Sequence, residues 1–209
     1  MTMDNTPIDR EGSRSIVVNY TSMKILVGRK MKMTRTFDED GFVKTVTAVD
    51  AKPTKVFNVI TNEKNGYNAV KVKVENRKKS KYIEFRADED LSEAFKVGDK
   101  IGVKNFNPGD KVKVIGKSKG KGFSGVIKRY GFSRGPETHG SGHHRRVGSI
   151  GSMFPQHVMK GKKMPGRAGN HQVTVKNLEI IDVDIDKDII LVSGAIPGSC
   201  GSEVRIISE

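Results

Sequence analysis

The feature that most constrains this chain is a strongly basic stretch with almost nothing from which to build a core. Residues 111–167 contain 14 Lys and Arg but a single acid, Glu137, whereas the other 152 residues contain 24 basic and 23 acidic groups. High charge with little apolar surface cannot offset the entropy of ordering a chain. From 116 to 157 the only branched aliphatic residues are Val126, Ile127, Val147 and Ile150. We therefore expect a nearly neutral body that carries a basic insert, loose when alone in water.

The insert has the composition of a nucleic-acid-binding segment. It holds 12 of the 23 glycines and four of the five histidines. Long loops without their own structure usually have a function, and a basic, Gly-rich, aromatic-bearing loop is typical of one that folds against RNA or DNA. The net charge of +14, nearly all of which lies in this stretch, points to a polyanion, either nucleic acid or an anionic membrane surface.

Other classes of protein are excluded by composition. No stretch approaches the roughly 18 apolar residues of a membrane span. Residues 1–22 have no apolar run longer than residues 16–18, which argues against a cleavable secretory signal. The single cysteine, Cys200, excludes an intramolecular disulfide framework, so a reducing cytosol is expected.

The body is predicted to consist of short strands, which favours a β barrel or sandwich. Tyr67–Val74 alternates between valines and lysines, as in a half-buried strand. Two hairpins are expected, one from Lys24–Arg35 and Phe42–Val49, and one from Glu179–Asp186 and Asp188–Val192. The remaining predicted elements are strands at Lys55–Thr61, Ile101–Val103, Lys111–Ile115, Gln172–Val175 and Glu203–Ile207, and a helix at Tyr82–Phe95.

Two glycine-rich motifs resemble nucleotide sites but lack the required context. Gly120–Gly125 fits G-x-G-x-x-G, which must be followed by a helix, but Gly131 would end such a helix within two turns. The motif also needs an acid about 20 residues later to bind the ribose, and positions 145 and 146 are arginines. Gly116-Lys117-Ser118 lacks the earlier glycine of a phosphate-binding P-loop. What remains is the shared chemistry, in which glycines admit a phosphate to the backbone and lysines neutralise it.

Candidate metal and catalytic groups favour structural interpretations. Asp182, Asp184, Asp186 and Asp188 lack the glycine and glutamate of a calcium loop, so we read them as the solvated face of a strand. The histidines of the insert lack nearby cysteines or other residues that could complete a tetrahedral zinc site, so we expect them to contact RNA. Cys200 has no histidine near it in sequence, and we expect no catalytic residue, no metal and no cofactor.

Several segments of the insert resemble the universal large-subunit ribosomal protein three family in its bacterial form. They read GKSKGKGFSGVIKRYGF at 116–132, THG at 138–140, HRRVGSIG at 144–151 and KGKKMPG at 160–166. In the body, 26–35 (LVGRKMKMTR) resembles the opening strand of the family, and 194–198 (GAIPG) its closing turn. The resemblance runs from about residue 23 to 207.

The resemblance implies a mainly β fold: a translation-protein-type β barrel with a small α+β part and a long basic extension. It implies a structural, non-enzymatic protein of the cytoplasmic ribosome that binds 23S rRNA near its 3′ end. Such a protein helps nucleate assembly of the large subunit, and its extension reaches toward the peptidyl transferase centre. Implied partners are the rRNA and large-subunit proteins fourteen and nineteen, with no membrane and no small-molecule substrate.

Three parts of the chain are predicted. Residues 23–115 and 168–209 form the barrel body, and 116–167 form the rRNA-penetrating extension. Residues 1–22 precede the usual start of the family; they are either a polar, disordered extension or a segment upstream of a start at Met23.

The predicted rRNA contacts are cations that neutralise phosphates, together with aromatic and histidine side chains that stack on or hydrogen-bond to unpaired bases. Phe132 and Phe154 are further candidates for stacking. The predicted set is Lys117, Lys119, Lys121, Phe123, Lys128, Arg129, Tyr130, Arg134, His139, His143, His144, Arg145, Arg146, Lys160, Lys162, Lys163 and Arg167.

Two other classes of function stay open at this point. A barrel-containing translation factor or RNA-modifying enzyme would need a nucleotide or catalytic constellation, and none is intact in the sequence. A membrane-surface binder would need an amphipathic basic helix, which the glycines of the insert disfavour.

Overall fold

The computed structural model describes residues 23–38, 40–75, 80–88, 91 and 94–208, so the predicted N-terminal extension lies outside the described residues. Strands dominate the described part of the chain, and its helices are one or two turns long. The strands are β1 (Ile25–Phe37), β2 (Val43–Asp50), β3 (Thr54–Ile60), β4 (Asn68–Glu75), β5 (Ser80–Ala87), β6 (Lys100–Ile101), β7 (Lys111–Lys117), β8 (Phe123–Ser124), β9 (Gly166–Arg167), β10 (Gln172–Asp184), β11 (Ile189–Ser193) and β12 (Glu203–Ser208). The helices are α1 (Asn62–Asn65), α2 (Val126–Tyr130) and a single 3₁₀ turn at Val103–Asn105.

Six strands form a closed antiparallel barrel in the order β1-β12-β7-β10-β11-β2. Closure leaves no unpaired sheet edge, which removes a common route to aggregation. The interior is filled by branched aliphatic side chains, because β-branched residues pack well on a pleated surface. Its fully buried members include Leu26, Val49, Val114, Ile190 and Ile206.

A second sheet, in the order β5-β4-β3-β6, packs against the outside of the barrel. Val70 and Val72 of β4 and Phe85 of β5 point to the barrel and are at most 2% exposed. They meet Ile25 and Val27, which point outward from β1 because successive side chains of a strand alternate between its faces. A second apolar cluster thus joins the two sheets.

The prediction of a mainly β fold is confirmed. β1 pairs with β2, and β10 pairs with β11, so both predicted hairpins are present. Between β3 and β4 the chain makes the single helical turn α1, which ends at Gly66 in the left-handed conformation with φ of 75°.

The helix predicted over Tyr82–Phe95 is wrong in its first half. Ser80–Ala87 is strand β5, which pairs residue for residue with β4. The side chains of 82–86 alternate, with Ile83 and Phe85 buried and Tyr82 and Arg86 exposed, and this period of two matches a strand. In the second half, the Phe95 N–H donates to the Leu91 carbonyl at 3.1 Å, and residues 89, 90, 92 and 93 lie outside the described residues.

Two other predicted boundaries are corrected. The segment 172–175 and the residues 179–184 of the predicted strand 179–186 belong to one strand, β10, because a register shift between Val175 and Leu178 lets the ladder with β7 continue. Asn177, inside this irregularity, has a φ of 56°, a conformation that asparagine tolerates better than most residues. The strand predicted around Ile101–Val103 is only Lys100–Ile101, followed by the 3₁₀ turn. Among the described residues, no helix is long and apolar enough to cross a membrane.

An ion pair fastens the start of β1 to the turn before β7. The Lys24 ammonium lies 2.6 Å from Asp110 Oδ2, which also accepts a hydrogen bond from the Asn107 N–H at 3.0 Å. Partial burial alone would raise the pKa of Asp110, but the Asn107 and Lys24 hydrogen bonds outweigh it, and the pKa is lowered from 3.8. The ionised carboxylate is therefore favoured by folding.

Asp110→Asn should lower the free energy of unfolding by about 1 kcal/mol at neutral pH, because it removes a charge-assisted contact that is partly open to solvent. A depressed carboxyl pKa stabilises the fold above the unfolded value and loses this effect as pH falls through the folded value. Urea unfolding at neutral and acid pH should therefore show a difference that shrinks toward acid. Asp40→Asn, at an exposed turn, is the control. A difference that stays constant over the pH range would contradict the role given to this ion pair.

Candidate nucleic-acid interface

The predicted extension grows directly out of a barrel ladder. β7 and β10 are paired up to Lys117 opposite Gln172. Beyond them, the Ser118 N–H donates to the His171 carbonyl at 2.9 Å, and the Asn170 N–H donates to the Ser118 carbonyl at 3.2 Å. The two arms therefore leave the barrel side by side, and their direction is set by strands whose other ends lie in the core.

Backbone pairing continues farther along the extension. The Lys121 N–H donates to the Ala168 carbonyl, and the Ala168 N–H donates to the Gly122 carbonyl, both at 2.9 Å. The short strands β8 and β9 then pair Phe123 with Arg167. These bonds use main-chain groups alone, so the lysine and arginine side chains of the arms stay available for a partner.

Arg129 joins the two arms beyond the short strands. It lies in α2, is half-buried, and its Nη1 donates to the Met164 carbonyl of the other arm at 2.8 Å. Its guanidinium carbon lies 4.9 Å from the centroid of the Tyr130 ring, and the Lys163 ammonium lies 5.7 Å from the same ring. Arg129, Tyr130 and Lys163 thus form one cluster. The structure gives the Arg129 guanidinium an intramolecular partner, and its contact with RNA stays a prediction.

The rest of the predicted set faces solvent. All of its members other than Arg129 are exposed. The one acid of the insert, Glu137, is paired with Arg134 at 2.9 Å. Apart from Arg134, the Lys and Arg residues of the predicted set form no ion pair within the described part of the chain, Arg145, Arg146, Lys160 and Lys162 among them. A surface with so many unneutralised cations attracts a polyanion.

The histidines of the insert do not converge on one point. His144 Nδ1 lies 2.9 Å from the Pro136 carbonyl, and the His144 carbonyl accepts a bond from the Gly135 N–H at 3.1 Å. These contacts close the loop that carries His139 and His143. Within the described residues, no group of three or more His, Cys, Asp or Glu is placed to hold a metal ion.

One lysine of the body, Lys30, is partly buried and has intramolecular partners. The Lys30 ammonium donates to the carbonyls of Ile196 at 2.7 Å and Gly198 at 3.1 Å. Burial lowers the pKa of Lys30, and the nearby Lys119 charge acts in the same direction. Lys30 therefore holds the turn 194–198, which the family resemblance identifies as a closing turn, against β1.

Comparison with known proteins identifies the family. A model described as "Ribosomal protein L3" matches residues 70–189, which include the whole extension and its paired root. The large ribosomal subunit protein uL3 of Alkaliphilus metalliredigens is 45% identical over 84% of this chain and 92% of its own length. The proteins of the same name from Oceanobacillus iheyensis and Desulfotalea psychrophila are 42% and 45% identical, each over 88% of this chain and 97% of their own length.

The chain belongs to the ribosomal protein L3 family. This confirms the family resemblance, and membership places the chain in a family of structural ribosomal proteins and not of enzymes.

The structure adds one feature of this L3-family extension that was missed as a group. Residues 147–159 contain no Lys, Arg, Asp or Glu, although they lie between Arg146 and Lys160. The exposed apolar side chains of this stretch are Ile150, Met153, Phe154, Val158 and Met159. Of these five side chains, the sequence pattern predicts a role only for Phe154, as a stacking residue. The gap in the charge pattern was the signal available in the sequence.

Gly169→Ala should loosen the root of the extension. Gly169 has a φ of 70°, and an added Cβ would collide with the Lys119 carbonyl, a backbone group that cannot rotate away. The left-handed conformation alone costs an L-residue about 1–2 kcal/mol, so amide exchange at Lys121 and Ala168 should quicken by about fivefold or more.

Hydrogen exchange measured by NMR would check this prediction, because it resolves amides of the root from those of the barrel. Gly151→Ala is the matched control, since Gly151 lies in the same extension, has no positive φ and has open space around it. Unchanged exchange at Lys121 and Ala168 in Gly169→Ala would show that the root tolerates a side chain and is not fixed by this contact.

Proposed function

We propose that this chain is a structural protein of the large ribosomal subunit that binds 23S rRNA near its 3′ end. In this role it helps nucleate subunit assembly, and its extension reaches through rRNA toward the peptidyl transferase centre. The observation that carries the proposal is the two-armed extension, which is paired at its root by backbone bonds while its cations point outward. Family membership supports the ribosomal setting.

Electrostatics would supply most of the affinity. Each phosphate neutralised by a lysine or arginine releases condensed counterions, so binding weakens steeply as salt is added. Apart from the half-buried Arg129, the cations of the predicted set are exposed, and the only acid among them is already paired with Arg134. Repulsion of phosphate by carboxylates of the extension is therefore small.

The paired root would fix the position at which the charged arms meet the RNA. A fully disordered basic segment loses conformational entropy when it binds, which reduces its net affinity. Here the ladder of β7 and β10, the short strands β8 and β9, and the Arg129 bond to Met164 limit the directions in which the arms can leave the barrel. We infer that the body acts as the mount and that the segment 116–167 acts as the rRNA-penetrating part.

The uncharged stretch 147–159 would serve a different purpose from the arms. Its apolar and aromatic side chains suit contact with base faces and sugars, whereas phosphates are better bound by the flanking cations.

Large-subunit proteins fourteen and nineteen, implied by the family, are proposed neighbours of the body.

The test is a salt titration of the intact chain on rRNA fragments. Replacing Lys117, Lys119, Lys121, Lys160, Lys162 and Lys163 by Gln should reduce the slope of log affinity against log salt by up to about 4–5, if all six pair with phosphates. Binding to a fragment from the 3′ end of 23S rRNA should exceed binding to an unrelated rRNA fragment of equal length.

A second set of six lysines provides the control. Lys52, Lys64, Lys96, Lys100, Lys104 and Lys176 are exposed residues of the body, and their replacement by Gln changes the net charge equally. An equal loss of slope in both sets would show that the phosphate contacts are not concentrated on the extension. Equal affinity for both fragments would argue against the 23S 3′-end assignment.

A further inference from the structure

The outer face of the second sheet carries a feature that the function of the extension does not use. Val70, Val72 and Phe85 fill the side of this sheet that faces the barrel. The alternate residues of β4 and β5 point the other way, and Lys73 lies directly opposite Tyr82 in the register. This outer face is solvated, as is common for antiparallel sheets, but it is not simply polar.

A β-bulge adds a second aromatic ring to this face. The register of β3 and β4 shifts between Val56 and Asn58, so Phe57 has no residue opposite it. Val56 is 2% exposed and Phe57 is 50% exposed. The rings of Phe57 and Tyr82 lie 4.7 Å apart at 55°, and Tyr82 is 45% exposed. Bulges often re-aim a side chain, and here the result is an exposed aromatic pair on a rigid sheet.

Cations surround the aromatic pair. The Lys71 ammonium lies 5.7 Å from the centroid of the Tyr82 ring. Lys55 of β3 is paired in register with Lys73 of β4, and like charges directly opposite each other destabilise a sheet unless an anion neutralises them. Two carboxylates also touch this face: Glu84 lies 3.3 Å from Lys71, and Glu75 lies 3.7 Å from Lys73. Lys55 has no ion-pair partner among the described residues.

The edge strand of this sheet, β5, lies beside the root of the extension. Lys81, the neighbour of Tyr82 in β5, lines a cleft of about 340 Å³ together with Lys117, Lys119 and Arg205. Lys81 is paired in this cleft with Glu203 at 2.8 Å. A polyanion bound to the extension therefore has a partly basic route to the second sheet.

We propose that the outer face of the second sheet is a stacking platform for unpaired RNA nucleotides. Bases stack on Phe57 and Tyr82, and the phosphates next to them are neutralised by Lys55 and Lys73. Exposed aromatic rings flanked by cations are the usual means of holding single-stranded nucleic acid, because every base has a face and only unpaired bases can be splayed out. The proposal extends the proposed rRNA-binding function to a surface of the body, and it uses none of the side chains of the extension.

The experiment measures binding of the full chain to two probes, a single-stranded uridine oligonucleotide and an RNA duplex of equal charge, by fluorescence anisotropy. Phe57→Ala and Tyr82→Ala should each weaken binding to the single strand by about tenfold, within the range measured for one stacked base. Binding to the duplex should be unchanged. Tyr82→Phe keeps the ring and should bind like the unaltered chain. Lys55→Gln should reduce the salt slope for the single strand by about 0.7.

Phe37→Ala and Phe42→Ala are matched controls, since both side chains are exposed phenylalanines of the β1–β2 hairpin, at 67% and 72%. Thermal melting checks that each variant is folded, as expected for exposed positions. Unchanged single-strand affinity in Phe57→Ala and Tyr82→Ala would overturn the platform. An equal loss in the two controls would overturn it too, because the effect would then not depend on this face.

The two proposals fail in different ways. The six-lysine replacement in the extension should lower affinity for both probes and flatten the salt dependence. Loss of the platform should lower affinity for the single strand alone and leave the duplex slope as it was. Suppose that the six-lysine replacement has no effect, whereas the platform variants lose single-strand binding. That result would support the platform and contradict the extension as the main contact.

Discussion

The structure depends on a group of neighbouring strands that are buried on both faces. Leu26 of β1 points into the barrel, whereas Ile25 and Val27 point outward into the cluster with the second sheet. β12 repeats this arrangement with Ile206 inside and Ile207 outside. Full burial of such a side chain contributes about 1.5–3 kcal/mol, so the strands that close the barrel also bind the second sheet to it.

The basic extension inherits its order from those strands. In the barrel, β7 is paired with β12 on one side and with β10 on the other. Beyond the barrel, β7 and β10 continue as the two arms of the extension. The arms need no apolar core because backbone hydrogen bonds hold them together, and glycine permits a close approach where Gly169 meets the Lys119 carbonyl. The segment 116–167, with a net charge of +11, can therefore be directed while all of its basic side chains except Arg129 stay exposed, which avoids the cost of burying charge.

Period-two alternation made most of the fold predictable from the sequence. The alternating valines of β4 and the two runs of the β10–β11 hairpin indicate strands that the structure contains. The same alternation was present at Ile83 and Phe85 but was read as a helix, because charged residues and a good helix-forming stretch follow it. The pairing of the arms and the bulge at Phe57 were not predictable, since each depends on the register with a strand distant in sequence.

The candidate site also has a part that the sequence predicts and a part that depends on the fold. Charge is a sum over residues and survives in composition, so the cations of the extension were found without any structure. Position is a matter of packing: Lys30 is basic but donates to two carbonyls of a turn, and Arg129 donates to Met164. Conversely, Phe57 and Tyr82 are unremarkable in sequence and become a pair only because a bulge turns one ring toward the other. In the proposals made above, the residues that attract a polyanion are visible in the sequence, whereas the residues that would fix its position are brought together only by the fold.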